Sequence, residues 1–390
     1  MRLDLSQPSV IENPYPWYAK LRQEAPAVQV DPEQMWAVTG FEEVVEVLKR
    51  VDDFSSAPGD NERDRLFQNA FGGPNIIGAD NPTHDRLRSI MQGRFTPKHL
   101  ARVQGRVEDL SKQLLASVAE RPSFDLVPSY TIALPVIVIA ELLGVEPERI
   151  DDFKRWSNAL VTIVNAARGE QRAVALAEVM ELAKYLAAMA DKRRTQPADD
   201  LIGALVAAER TAGRISAGEV LSYCVLLLVA GNETTTNLIG SLVATLSANP
   251  DQLELLRRDS SLIPNAVEEG LRFCSPVQGL FRRTMRDTKL GSVTIPARAR
   301  VWVSYAAANR DPKRFEDPDR FDVTRDCSGH VGFGWGLHFC LGANLARREA
   351  RVALQHLVPL LAEAKLKQPV EWLPSWVIRG PKALPLARAA

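Results

Sequence analysis

Apolar residues recur along most of the chain at three- and four-residue steps, which is the spacing of a helix with one buried face. The clearest stripe consists of Val103, Val107, Leu110, Leu114, Leu115 and Val118. Short strand-like segments occupy residues 27–30, 35–39, 292–296 and 300–304. No repeat of fixed period and no low-complexity linker divides the sequence. We therefore predict a mainly α protein with small β-sheets (an α+β fold) in which residues 1–390 form a single domain.

The longest predicted helix begins at Ser216. Glu219, three residues later, completes a capping box that satisfies free backbone N–H groups at the helix start. The helix continues until Pro250 stops it, which gives a length of roughly 50 Å at 1.5 Å per residue. Further helices are predicted over residues 264–274 and 341–361. A helix of about 50 Å is long enough to cross an entire domain of this size.

The composition is that of a globular protein, with 46% hydrophobic and 25% charged residues among 390. Forty-eight Lys and Arg balance 48 Asp and Glu, which argues against wholesale binding to nucleic acid or to a membrane surface. The N-terminus lacks a signal-peptide pattern, and the apolar runs at residues 131–145 and 225–230 are too short for a membrane anchor. The four cysteines form no C-x-x-C pair. We therefore expect a reduced, cytoplasmic protein.

The densest group of unusual residues is the segment FGWGLHFCLG at 333–342. Its glycines allow tight turns, and Cys340 lies at the start of a predicted helix, where the helix dipole favours the thiolate. Such a thiolate is a good metal ligand or nucleophile, and the alternative is a buried free cysteine in a glycine turn. The glycine spacing does not match a dinucleotide- or phosphate-binding loop. His338 and Cys340 alone supply too few ligands for a structural zinc site.

A second unusual segment, AGNETT at 230–235, interrupts the long helix. Gly231 in a helix interior costs about 1 kcal/mol, and the Thr234 hydroxyl can bond back to a helix carbonyl. Glu233 offers a carboxylate for proton transfer. A departure from local rules inside a regular element is where function is expected. The alternative is a packing notch between two helices, with a solvated glutamate beside it.

Two charged pairs lie at helical spacing. Glu269 and Arg272 are three residues apart, and His84 and Arg88 are four apart, so each pair projects from one helix face. Taken alone, either pair is typical of a helix surface, where ion pairs stabilise little. His84 and Arg88 have a second interpretation, since together they could hold one anion.

Taken together, these features resemble the cytochrome P450 family over essentially the whole chain. The motifs F-G-x-G-x-H-x-C-x-G, A-G-x-E-T-T and E-x-x-R occur in the family's order and spacing. The resemblance implies the P450 fold, with haem b (iron protoporphyrin IX) between a long central helix and the cysteine-bearing helix. It also implies an oxidoreductase, a monooxygenase that activates O2 and hydroxylates or epoxidises its substrate.

The resemblance also implies roles for individual residues. Cys340 is the expected thiolate ligand of the haem iron. The other expected cofactor-binding residues are His84, Arg88, Arg282 (with Arg283 as the alternative), Phe333, Gly334, His338 and Gly342. Gly231 is expected to leave space for dioxygen, and Glu233 and Thr234 to form an acid–alcohol pair that delivers protons. Glutamate stands where the family more often has aspartate. Glu269, Arg272 and Arg320 are the expected structural salt-bridge triad.

The substrate and the partners follow least directly from the residues. Positions that match the family's substrate-facing segments are mainly apolar. They are Phe71, Ile76, Ile77, Val161, Val164, Ala230, Val277, Leu280, Phe281, Trp376 and Val377. We expect a mid-sized hydrophobic substrate such as a terpenoid, steroid, fatty acid or macrolide, on a monomeric enzyme. Electrons are expected from a separate ferredoxin and an NAD(P)H-dependent ferredoxin reductase, which would dock on basic residues near the thiolate. These basic residues are Arg94, Lys98, Arg102, Arg106, Arg347, Arg348 and Arg351.

Two other functions stay open at this point. One is a haem-thiolate protein that binds or senses without turnover, although such a protein needs no proton relay. The other, weaker alternative keeps Cys340 as a nucleophile without haem.

Overall fold

The computed structural model of the chain describes residues 2–32, 34–59, 73–164, 169–211 and 213–388. Backbone contacts divide the chain into two compact units. The first unit consists of Met1–Ala57, Glu108–Thr131 and Thr234–Ala390. The second unit consists of Pro58–Val107 and Ile132–Glu233. No helix within the described ranges is both long enough and apolar enough to span a bilayer.

Helices dominate both units. The α-helices of the described residues are α1 (Pro8–Glu12), α2 (Tyr15–Glu24), α3 (Phe41–Lys49), α4 (Thr83–Met91), α5 (Pro97–Leu100), α6 (Gln104–Ala116), α7 (Ala133–Leu143), α8 (Ile150–Val164), α9 (Gly169–Thr195), α10 (Leu201–Glu209), α11 (Ala217–Ala248), α12 (Pro250–Arg258), α13 (Ile263–Phe273), α14 (Tyr305–Ala308) and α15 (Ala343–Glu363). The strands are β1 (Val28–Val30), β2 (Met35–Val38), β3 (Phe54–Ser55), β4 (Ser123–Asp125), β5 (Leu280–Thr284), β6 (Thr288–Leu290), β7 (Val293–Ile295), β8 (Arg300–Val303), β9 (Ala364–Leu366) and β10 (Pro385–Arg388).

The strands described here all belong to the first unit. Five of them form a sheet in the order β1-β2-β8-β5-β3, in which only β2 and β8 run parallel. Three others form an antiparallel sheet in the order β4-β10-β9, and β6 pairs with β7. In the larger sheet Val301 lies opposite Trp36, and Trp302 lies opposite Phe281. The sheet therefore joins residues that are far apart in sequence.

Strand β8 separates two apolar clusters of the first unit, because successive side chains of a strand point to opposite faces. Val301 and Val303 pack in a buried cluster that includes residues of α3. Trp302 packs in another cluster, with Tyr18 of α2 and Val10 of α1. The short sheet thus anchors the N-terminal helices on one side and the α3 segment on the other.

The core of the second unit contains a helix that is apolar on all sides. Helix α7 is buried at every position from Ala133 to Ala140, as expected for a helix without a polar face. Helix α8 contributes Phe153, Trp156 and Leu160, each less than 2% exposed. The apolar run at residues 131–145 is therefore a core helix.

The predicted elements agree with this architecture. The long helix is α11, whose capping box is present: the Ser216 amide donates to Glu219 Oε2 at 2.8 Å, and the Glu219 amide donates to Ser216 Oγ at 3.3 Å. Helices α13 and α15 and strands β1, β2, β7 and β8 lie within one or two residues of their predicted bounds. The mainly α fold with small sheets is confirmed.

Candidate functional site

Cys340 is held in a closed loop that ends at the first turn of α15. The amide of Cys340 donates to the Phe333 carbonyl at 3.0 Å, which joins the two ends of the loop. Gly334 and Gly336 have φ values of +71° and +67°, a left-handed conformation that side chains rarely adopt. A Cβ at Gly342 would meet nothing within 4 Å, so there is open space beside the cysteine. The sulfur therefore lies at a helix N-terminus with room for a ligand.

A buried tyrosine that sequence analysis missed connects this loop with a predicted haem residue. Tyr305 in α14 is 4% exposed, and its hydroxyl would lie 3.6 Å from a Cβ at Gly334. Burial raises the pKa of Tyr305 above its ordinary value, and the nearby charge of Arg282 offsets part of that rise. Cys340 also lies close enough to influence Tyr305. Arg282 thus lies near the cysteine loop. The residues around Tyr305 in the sequence form no motif that would have identified it.

Arg282 and Arg283, the two alternative haem-binding arginines, differ in burial. Arg282 is 6% exposed, and its Nη1 donates to the Phe281 carbonyl at 2.7 Å. Arg283, the next residue of β5, is half-buried because successive strand residues face opposite ways. His338 is also half-buried, in a short turn over Gly336–His338. Of the three candidates in the first unit, Arg282 is thus buried, whereas Arg283 and His338 are half-buried.

Helix α11 carries an accessible strip along an otherwise buried surface. Leu226, Ala230 and Thr234 are exposed or half-exposed and lie four residues apart, so they share one face. Ala230 is exposed although it stands in the middle of the helix. Gly231 points elsewhere: a Cβ there would meet Ile139 Cγ1 of α7 at 3.3 Å. Gly231 therefore permits close packing of α7 and α11, as in the alternative interpretation of this segment. Its expected role of leaving space for dioxygen stays a prediction.

Glu233 is a buried acid next to this strip. Its side chain is 8% exposed, and Oε1 has no hydrogen-bond partner among the residues that the structure describes. Burial raises the pKa of Glu233 from its ordinary value of 4.5 to about 7. The neighbouring Asn232 is fixed by a hydrogen bond from Nδ2 to Ser157 Oγ of α8 at 2.6 Å. Glu233 can therefore hold or release a proton near neutral pH, and it is not a solvated glutamate.

His84 and Arg88 lie on one side of α4 in the second unit. His84 is fully buried, with Nδ1 3.1 Å from Asp85 Oδ1, and burial lowers its pKa, which favours the neutral ring. Arg88 is half-buried, and its charge is close enough to influence His84. In the neutral ring the Nδ1–H donates to Asp85, so His84 Nε2 must gain a proton before it can donate to an anion, and Arg88 is the cation of the pair.

Taken within its own unit, each group of residues has chemistry that suits a haem. The first unit offers a partly exposed thiol at a helix N-terminus, open space at Gly342 and a buried arginine. In the second unit, the buried His84 and the half-buried Arg88 are candidates for binding carboxylates. The same unit contains Glu233, whose Oε1 accepts no hydrogen bond from the described residues. Thiolate, cationic donors and a proton-holding acid are the chemistry that a haem-thiolate enzyme requires.

The predicted salt-bridge triad needs a correction. Glu269 and Arg272 form a fully buried bidentate pair at 2.6 and 2.8 Å, as predicted. The further arginine on Glu269 is Arg325, at 3.4 Å, and not Arg320. Arg320 has a 65% exposed side chain near Asp322 and contributes only its carbonyl, which accepts from Arg272 Nη2 at 3.2 Å. The Arg320 amide donates to the Asp317 carbonyl at 3.0 Å, in a turn that leaves the Arg320 side chain largely exposed.

The predicted pocket residues are distributed over several places. Phe71 and the side chains of Val161 and Val164 lie outside the described part of the chain. Ile76 is 7% and Ile77 is 46% exposed. In the first unit the remaining positions cluster around β5, where Val277, Leu280, Phe281, Trp376 and Val377 are half-buried. The rings of Phe281 and Trp376 meet edge to face at 5.7 Å and pack on the Trp302 cluster, so both also serve the core.

Several predicted docking residues have acidic partners. Arg347 forms a bidentate pair with Glu268, at 2.7 and 2.8 Å, and Arg351 lies 3.7 Å from the same carboxylate. In the second unit Arg94 and Arg102 pair with Asp199, and Arg106 pairs with Glu141. Positive charge at these positions is therefore smaller than the sequence suggests.

Comparisons with known proteins agree on one family. A sequence model described as Cytochrome P450 matches residues 10–361. Cytochrome P450 107B1 of Saccharopolyspora erythraea is 41% identical over 391 residues, covering 96% of this chain and 94% of that protein. The 6-deoxyerythronolide B hydroxylase of the same species is 38% identical over 400 residues, covering 98% of each. The crystal structure of myxobacterial cytochrome P450 CYP267B1 in complex with myristic acid has a TM-score of 0.91 at 35% identity and covers 99% of both chains.

Proposed function

Because the chain belongs to the cytochrome P450 family, we propose that Cys340 binds the iron of its haem b and that Glu233 and Thr234 deliver the protons of the reaction. The protein is a P450 monooxygenase, the activity for which its relatives are named. The observation that carries the proposal is Glu233, a buried acid whose pKa is about 7. A protein that only bound haem would gain nothing from such an acid, so the observation favours turnover over sensing.

The proposal assigns haem contacts within each unit. When bound, haem b supplies the iron that activates dioxygen for insertion of one oxygen atom into the substrate. In the first unit, Cys340 donates the thiolate, and Arg282 and His338 hold propionates. Burial favours Arg282 over Arg283. In the second unit Arg88 takes the same role, and His84 joins it when a bound carboxylate keeps its ring protonated.

Backbone groups of the cysteine loop complete the assignment in the first unit. Gly334 and Gly342 let a flat ligand approach the backbone closely. Phe333, whose carbonyl accepts the Cys340 amide, lies at the other end of the loop. We propose that hydrogen bonds from the backbone around Gly342 tune the thiolate.

Proton transfer follows from the positions of two adjacent residues on α11. Glu233 holds a proton on a carboxyl oxygen that lacks a protein partner among the described residues, and burial keeps that proton in place up to about pH 7. Thr234 lies on the accessible strip and can pass a proton through its hydroxyl. Ala230, one turn earlier, is small and leaves the strip open. Glu233 is the acid of this proposal, and Thr234 carries the proton to the accessible face.

The test is the coupling of Thr234→Ala, measured as hydrogen peroxide released per NADH consumed. Loss of the hydroxyl should raise peroxide release severalfold while leaving substrate binding intact, since general acid–base groups contribute typically 10²–10⁴-fold. Thr245→Ala is the matched control, because the Thr245 hydroxyl lies in the same helix and contacts Cys274 Sγ at 3.4 Å. Equal peroxide release in both variants and the wild type would remove the relay role.

We propose a mid-sized hydrophobic substrate such as a terpenoid, steroid, fatty acid or macrolide. The support is an accessible strip with Leu226 and Ala230, and relatives named for 6-deoxyerythronolide B or solved with myristic acid. The predicted pocket positions carry no charge that would select a polar ligand. A library screened by the Soret shift on binding should give hits among lactones, sterols and fatty acids. Hits confined to polar compounds would contradict the proposal.

We propose further that a ferredoxin and its NAD(P)H-dependent reductase supply the electrons, on a monomeric, single-domain, cytoplasmic enzyme. The side chain of Arg351 in α15 is 43% exposed, and although it lies 3.7 Å from Glu268 it offers a cation to an acidic partner. The sequence has no C-x-x-C pair, which fits a reducing compartment. Reduction by an acidic ferredoxin should slow as salt rises. A rate independent of ionic strength would contradict electrostatic docking.

A further inference from the structure

Glu268, which belongs to no motif named above, lies at the centre of a hydrogen-bonded group next to the cysteine loop. Glu268 of α13 accepts Nε and Nη2 of Arg347 at 2.8 and 2.7 Å, so α13 and α15 are joined by a bidentate pair. His330 Nε2 lies 3.1 Å from the same carboxylate. Burial alone would raise the pKa of Glu268, but hydrogen bonds from His330 and Arg347 hold it at about 2. Glu268 is therefore ionised throughout the physiological range.

Both partners of Glu268 also contact the loop that presents Cys340. His330 Nδ1 accepts the Gly332 amide at 3.0 Å, which leaves the ring proton on Nε2 and directs it to the carboxylate. The Arg347 guanidinium lies 4.6 Å from the centre of the Phe333 ring, within the range of a cation–π contact. The carboxylate is thus connected to two consecutive loop residues through two different side chains.

The next contact reaches the cysteine. The Phe333 carbonyl accepts the Cys340 amide at 3.0 Å, so the position of Phe333 sets one end of the loop. The loop is also tight against α13 at Gly332, where a Cβ would lie 2.8 Å from the Leu271 carbonyl. Displacement of Phe333 would therefore move the Cys340 amide rather than be absorbed by slack in the loop.

We propose that Glu268 is a positioning residue for the Cys340 thiolate: it holds Arg347 over Phe333 and His330 on the Gly332 amide, and it offsets the charge of Arg347. The inference rests on the proposed haem ligation. It assigns two consequences to Glu268, one geometric and one electrostatic. Loss of the carboxylate charge leaves Arg347 uncompensated near the haem ligand, and added positive charge favours the reduced iron.

The test is a spectroelectrochemical titration of the holoprotein, with its ferrous carbon monoxide spectrum. Glu268→Gln should shift the reduction equilibrium towards the ferrous form by roughly tenfold, which is about 59 mV for one electron. Arg347→Gln should shift it the opposite way. Arg347→Lys keeps the charge but loses the bidentate and ring contacts, so it should leave a fraction of molecules without the thiolate-type Soret band.

Glu254→Gln is the control, because that half-exposed carboxylate pairs with arginines of its own helix α12. Wild-type potentials and spectra in both Glu268→Gln and Arg347→Lys would overturn the proposal, even if both variants melted at lower temperature. Arg347→Lys keeps the test decisive if Glu268→Gln fails to fold. Absence of the thiolate-type band in the wild type would overturn the assignment of Cys340 and this inference together.

Discussion

Replacing Glu233 by glutamine removes a carboxyl group that burial holds near its ionisation point at neutral pH. The side chain is 8% exposed, and desolvation is the cause of its raised pKa of about 7. Glutamine has the same shape and cannot ionise. Comparing the variant with the wild type therefore measures how much the ionised, buried Glu233 lowers the free energy of unfolding.

The size of the destabilisation follows from the difference between the ordinary pKa of glutamate and the pKa of the buried Glu233. A rise from 4.5 to about 7, at about 1.36 kcal/mol for each tenfold change, corresponds to roughly 3 kcal/mol. Below about pH 4.5 both folded and unfolded chains carry the proton, so Glu233 costs nothing. Between about pH 4.5 and 7 the unfolded chain ionises first, and folding becomes progressively less favourable. Above about pH 7 the full cost applies to the wild type and not to Glu233→Gln.

The assay is the difference in urea stability between the two holoproteins at several pH values. The advantage of Glu233→Gln should grow by about 2 kcal/mol from about pH 5.5 to 7.5. Exposed Glu120, replaced in the same way, serves as the control and should show no such growth. A difference that stays constant with pH would refute the argument that Glu233 is a neutral acid at pH 6.

Three further outcomes are expected. Arg325→Ala should destabilise the holoprotein by about 1.5–3 kcal/mol in urea, because Glu269 loses one charged contact and keeps Arg272, whereas Arg320→Ala should stay within about 0.5 kcal/mol; equal losses would contradict the revised triad. Haem transfer to an acceptor protein should be faster from Arg282→Gln than from Arg283→Gln, and similar rates would reject the burial argument. Alkylation during haem removal should reach Cys340 first, as mass mapping would show, since the other three thiols are at most 5% exposed.

Patterns among residues close together in the sequence predicted many of the helices and strands. The start of α11 depends on Ser216 and Glu219, which are three residues apart and need no tertiary contact to form a capping box. The apolar stripe at residues 103–118 and the helix-ending Pro250 are likewise patterns that involve only residues close together in the sequence. Helix α7 was harder to recognise because it is buried all round, so its sequence has no polar face and no period to detect.

Candidate residues could be chosen from the sequence only where a motif contains them, and the roles of Cys340 and Glu233 stay predictions. Cys340, Glu233 and the Glu269–Arg272 pair belong to such motifs. Arg325 and Arg320 lie five residues apart in a coil without a period, so no sequence pattern indicates that Arg325 is the one that reaches Glu269. Glu268 meets Arg347 across 79 positions, a contact that only the folded chain defines.

The parallel pairing of β2 with β8 has a consequence for the growing chain. Residues 35–38 leave the ribosome long before their partners at 301–303, and at about 5–20 residues per second the delay is roughly 13–53 s. During that interval an apolar strand has an unsatisfied edge. Nascent chains therefore depend on holding factors, or on pairing with β1 alone, until the late segment emerges. Rapid overproduction should consequently trap this protein in inclusion bodies more readily than slow, cool expression.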